Sequence, residues 1–194
     1  MKTPFIKERR FYLPGITNII TFEKNNTMAD PIVYENYFDR YTGQVPEKDL
    51  TDAFEKQDAV LAGFLAKVSE EKANYAYAEG KWTLKEILQH LIDAERVFCY
   101  RAMCIARGET QNLPGFDEND YAAVCNANRR SWTDLAAEMK ALRISTKLMF
   151  ASFTDEMLNA KGFFNNNEGQ VMHLGFIIAG HTYHHIKVAE ERYL

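Results

Sequence analysis

From Pro46 onward the apolar residues return at helical intervals, and four long segments stand out. In the first, Leu50, Ala53, Phe54, Leu61, Phe64, Leu65 and Val68 largely follow the i, i+3, i+4, i+7 spacing of one buried face. The second opens at KWTLKEIL. Thr83 is placed to cap it, Glu86 to reach back to the cap's backbone N–H, and Trp82 to staple against Ile87. Its stripe runs through Leu84, Ile87, Leu88, Leu91, Ala94, Phe98, Ala102 and Ile105, and Gly108 is a natural C-terminal stop. Ser131-Trp132-Thr133-Asp134 starts the third, whose core face of Leu135, Met139, Leu142, Met149 and Phe153 is interrupted at Thr146. The last runs from about Val171 to the C-terminus.

Between the second and third segments lie a loop through Leu113, Pro114 and Gly115 and the acidic stretch FDENDY, read either as a helical turn or as a cover over the bundle end. KGFFNNNEG, residues 161–169, reads as a loop, because asparagine and glycine tolerate left-handed backbone. The pattern predicts an all-α four-helix bundle over residues 46–194, with a connectivity that periodicity alone does not assign. Residues 1–45 lack helical spacing and are predicted to form an irregular, partly disordered N-terminal extension. Its polar run Glu23-Lys24-Asn25-Asn26-Thr27 precedes Met28, which makes Met28 a candidate true start. Native peptides upstream of Met28 in mass spectrometry would reject that start.

Composition narrows the function classes. A chain of 194 residues, 46% hydrophobic and 13% aromatic, can build one domain with a sizeable core. A net charge of −4 with dispersed Lys and Arg offers no field for a phosphate backbone or anionic lipid, so nucleic acid is not an expected partner. Cys99, Cys104 and Cys125 are odd in number and form no C-x-x-C pair, which fits a reducing cytoplasm rather than a disulfide framework or a cysteine zinc site. No apolar run approaches the roughly 18 residues of a membrane helix, and Pro14 and Gly15 break the stretch where an export signal would be continuous.

The candidate chemistry lies in the histidines. GHTYHHIKVAEERYL places three of the five within 181–185. His181 and His185 fall on the stripe of Leu174, Ile178 and Val188, and an i, i+4 pair sets two imidazoles one turn apart on one face, able to converge on one ion. His90 lies on the second helix between Ile87 and Ala94, at its core edge, and can face the pair. Two readings compete: a three-imidazole metal site, or hydrogen-bonded core histidines. His184 sits at the stripe's edge, as a supporting or surface residue rather than a ligand, and His173 lies off the stripe.

Glu86 and Asp93 flank His90 by one turn, but capping and solvated helix charge are their favoured roles. Glu95 falls inside the apolar stripe, where an unpaired carboxylate is costly; an inward salt bridge is favoured over a role at the metal. Cys99 and Cys104 do not share a face and read as small buried hydrophobes. Arg101 shares His90's phase but lies roughly 16 Å farther along the axis, where it meets only a long substrate. For Arg101 and Arg96 an ordinary salt bridge is expected.

KWTLKEILQHLIDAER followed by the terminal H-x-x-x-H of GHTYHHIKVAEERYL resembles the DinB-like (DinB/YfiT-like) superfamily, over roughly Asp49 to the C-terminus. The resemblance implies a four-helix bundle whose His90, His181 and His185 bind a divalent metal: zinc first, with nickel, iron and manganese as alternatives. It also implies a small-molecule substrate and a homodimer. Members include transferases and isomerases dependent on low-molecular-weight thiols and metal-dependent hydrolases, so the expected enzyme activates either a thiol or a water. No motif selects the thiol or electrophile, and no general base is assigned. The alternative is a non-catalytic metal-binding or stress-associated bundle, with His184 or a carboxylate closing the site.

Overall fold

The computed structural model describes residues 39–194 and, as backbone, the strands β1 (Lys7–Arg10) and β2 (Thr21–Lys24). These two pair antiparallel, with Lys7 opposite Lys24 and Arg10 opposite Thr21. The predicted N-terminal extension thus carries an antiparallel pair of short strands; Met28 lies outside the described residues. The extension also carries α1 (Asp39–Thr42), which packs on the final helix of the chain.

Four long helices form the bundle: α2 (Leu50–Lys67), α4 (Leu84–Ala106), α6 (Trp132–Ala151) and α8 (Val171–Arg192). Short α3 (Glu70–Ala73), α5 (Glu118–Val124) and α7 (Asp155–Asn159) lie in the connections. The helix starts obey local chemistry. Asp49 caps α2 through bonds from the Thr51 and Asp52 amides, and the Ser131 hydroxyl accepts from the Asp134 amide at the start of α6. At α4 the capping box closes in both directions: the Glu86 amide donates to the Thr83 hydroxyl at 3.1 Å, and the Thr83 amide donates to the Glu86 carboxylate at 2.7 Å. The helix stops where Gly108 turns left-handed at φ 89°, letting the Gly108 and Glu109 amides reach the Ile105 and Cys104 carbonyls.

The asparagine-rich stretch read as a loop is instead a hairpin, β3 (Lys161–Phe164) with β4 (Asn167–Gln170). The same asparagines account for the difference. Asn165 and Asn166 adopt φ of 49° and 62°, the pair of left-handed residues that a two-residue hairpin turn requires. Alternation buries Gly162 and Phe164 and exposes Lys161 and Phe163. Leu113 docks beside the hairpin, its amide donating to the Phe163 carbonyl and its carbonyl accepting from the Asn165 amide, each at 2.9 Å. The FDENDY stretch supplies the first half of α5, with Asp117 as its cap.

Helix α8 packs against α1, α2 and α4, and α4 also packs against α6. Tyr193, just after α8, donates to the Trp82 carbonyl just before α4, so the two helices run antiparallel. The core divides into two apolar clusters. One gathers Phe54, Phe98, Phe150, Leu174 and Ile178, and the other Phe64, Leu88, Leu91, Trp132, Leu135 and Ile186. His90 on α4 and His181 and His185 on α8 fall along their helices where one cluster gives way to the other. Among the described residues no helix is long and apolar enough to cross a membrane.

Candidate metal centre

The antiparallel pairing of α4 and α8 sets His90, near the start of one helix, against His181 and His185, near the end of the other. The Nε2 atom of His181 lies 3.1 Å from that of His90 and 3.1 Å from that of His185. Each of the three offers a ring nitrogen within 4.8 Å of the other two. The rings stand edge to face, with centroids 4.6 to 4.9 Å apart. His181 is buried, and His90 and His185 are half-buried.

Burial holds all three imidazoles neutral. His90 is pushed down to about 4 by desolvation, and His181 and His185 fall well below the usual histidine range, first through desolvation and then because a proton on either ring would be repelled by positive charge on the neighbouring histidines and Arg40. A neutral imidazole Nε2 carries either one N–H or one lone pair. His181 therefore cannot form a well-aligned hydrogen bond with both neighbours at once. A cation accepting a lone pair from each ring removes that conflict. At zinc-to-nitrogen bonds near 2.0–2.1 Å, tetrahedral ligand atoms lie roughly 3.3 Å apart, close to the spacing found here. The donor set suits zinc, nickel or iron better than a hard, oxygen-seeking ion such as magnesium.

The other histidines stay apart. His184 lies 3.5 Å from the Gln44 side chain through Nδ1 and packs its ring against Tyr41, and its ring nitrogens do not join the cluster. His173, in the first turn of α8, is buried away from it.

The acidic residues near the triad have structural partners. Glu86 serves the α4 cap and accepts from Asn128, while Asp93 accepts from Gln89. Glu95 forms the inward salt bridge expected of it: the Arg143 guanidinium reaches its carboxylate at 2.8 Å, and the Thr146 hydroxyl donates to it at 2.6 Å. This accounts for the polar Thr146 in the core face of α6. Arg96 pairs with Glu138 at 2.6 Å. Cys99 is half-buried beside Thr146, its thiol pushed up to about 12 mainly by desolvation, which leaves it a poor nucleophile.

Arg101 departs from expectation: among the described residues it makes no ion pair, and its Nη2 instead donates to the Pro114 carbonyl at 2.7 Å. It lines the same cleft as the triad, about 310 Å³ in volume and walled by Tyr41, Trp82, Phe98 and Phe116. The Tyr41 ring meets His181 edge-on at 5.0 Å, and Trp82 lies 5.0 Å from the His90 ring. Periodicity marked Trp82 only as a staple and gave no signal for Tyr41, because α1 lies in a stretch without helical spacing. Glu118 is a carboxylate lining the cleft, brought there by α5.

A four-helix bundle that gathers three neutral imidazoles at the floor of an aromatic cleft defines the class. The chain belongs to the DinB superfamily, whose model matches residues 53–189. Its structure is similar to that of YfiT from Bacillus subtilis, described as a probable metal-dependent hydrolase with an unusual four-helix bundle topology. The TM-score is 0.61, at 14% sequence identity over 86% of this chain and 93% of that one, so the likeness is one of fold. Comparison with curated proteins gives no match.

Proposed function

We propose that the chain is a divalent-metal-dependent enzyme acting on a small molecule, with His90, His181 and His185 as the ligands. The observation that carries this reading is the 3.1 Å approach of the His181 Nε2 to both other Nε2 atoms, which neutral imidazoles without a shared cation satisfy poorly. A cation held there supplies Lewis-acid chemistry, lowering the pKa of a small bound nucleophile toward neutrality. The imidazoles hold it without cancelling its charge. Trp82, Tyr41 and Phe98 line the cleft around the site, and apolar walls of this kind strengthen electrostatic interactions beside them.

Two nucleophiles fit. Water gives a hydrolase, the activity named for YfiT; a low-molecular-weight thiol gives a transferase, which the family resemblance suggests. The non-catalytic alternative needs a fourth protein ligand, and among the described residues no further His, Cys, Asp or Glu joins the group. Free cysteines accord with a cytoplasmic location, and the resemblance suggests a homodimer.

The test is a paired screen of metal-reconstituted protein against ester and amide substrates in water, and against electrophiles with added thiols. The reading expects turnover that requires the ion, stops with chelator and returns on its restoration. Activity indifferent to chelation, or none in either screen from fully loaded protein, would contradict it.

A further inference from the structure

The cleft holds a buried group that this chemistry does not use. Arg101 lies about three turns beyond His90 on α4, is 3% exposed, and lines the cleft. Among the described residues its guanidinium is only partly satisfied: Nη2 donates to the Pro114 carbonyl, but Nε is buried without a hydrogen-bond partner. The rings of Phe98 and Phe164 lie 5.9 and 5.4 Å from its central carbon, so much of its immediate surroundings is aromatic. Glu118 lines the same cleft yet forms no ion pair with it. Desolvation by burial lowers its pKa, and among the described residues no carboxylate raises it.

A buried cation without a counterion is costly, and a guanidinium's planar fork of N–H donors matches the two oxygens of a carboxylate. Phe98 gives the scale. The Arg101 central carbon and the His181 ring centre each lie 5.9 Å from the Phe98 centroid, so they are separated by no more than twice that distance. The backbone spacing of roughly 16 Å overstates the gap, because helical side chains lean toward the N-terminus and Arg101 reaches back toward His90. A short substrate can span it.

We propose that Arg101 docks a carboxylate of the substrate, and that the substrate is therefore a small organic acid whose reacting end faces the three histidines. The proposal rests on the reading of those histidines as the metal site. Leu113 and the β3–β4 hairpin fix the segment carrying Pro114, and the Pro114 carbonyl in turn fixes the guanidinium, so the fork is held before any substrate arrives.

The test is isothermal titration of the full-length, metal-loaded chain with glutarate and with its neutral analogue glutaramide. Wild type is expected to prefer glutarate, and Arg101→Gln to weaken glutarate binding by roughly tenfold to a hundredfold. Arg101→Lys should fall between, keeping charge but losing the fork, and ion content should not change in either. Equal glutarate affinity in wild type and both variants would overturn the assignment. Should the Gln variant fail a circular-dichroism check of folding, the Lys variant and the wild-type charge preference still decide; equal binding of glutarate and glutaramide sinks the proposal. Failure of the metal reading looks different: wild type would hold no ion yet still discriminate glutarate from glutaramide through Arg101.

Discussion

Glu95 and Arg143 separate a structural role from a chemical one within a single pair. Both are buried, and the guanidinium also approaches Asp58 and the Thr182 hydroxyl. Removing one charge strands the other, so Glu95→Gln should destabilise the fold by about 3–5 kcal/mol in urea unfolding while leaving ion content unchanged. A stable variant that loses its ion would instead assign Glu95 to the metal. His173 gives a pH signature. Desolvation holds it near 4 in the fold against an ordinary value of 6.5, so between those values the unfolded chain binds the proton more readily. Its contribution to stability is full above pH 6.5 and is lost as the pH falls toward 4. His173→Gln should therefore lose less melting temperature than wild type between pH 7 and 5; equal losses would show that burial of this ring does not set the slope.

At the scale of elements, α4 was legible because several local signals agree: the capping box, the period of its stripe and the glycine stop. The asparagine hairpin was not, since its strands are four residues each and their pairing depends on contact with Leu113, which no local pattern encodes. Helix α1 was hidden for a similar reason. It has a single turn, and packing against α8 positions it. Gly180 makes that packing possible: a Cβ there would stand 2.0 Å from the Tyr41 carbonyl oxygen, an overlap with backbone that side-chain rotation cannot relieve. Gly180→Ala should push α1 off α8 at a cost of about 1–3 kcal/mol and raise amide exchange around Tyr41. Unchanged exchange there would show that α1 does not depend on this close approach.

For the whole molecule, the sequence brought three histidines into consideration from two helices far apart in the chain, because each occupied a position on its helix's inward stripe or at its edge. It did not supply the cleft. Trp82, Tyr41, Phe116 and Glu118 reach it from the residue before a helix cap, a one-turn helix, a loop and α5, and the lack of an ion pair at Arg101 among the described residues becomes visible only when the neighbours of α4 are in place. The aromatic walls, the triad and the buried Arg101 line one compartment, the basis for the small, carboxylate-bearing substrate proposed above. Whether the triad holds an ion is decided by elemental analysis of gently purified protein beside His181→Ala. About one divalent ion per chain in wild type and nearly none in the variant is the predicted result; equal metal content in the two would contradict it.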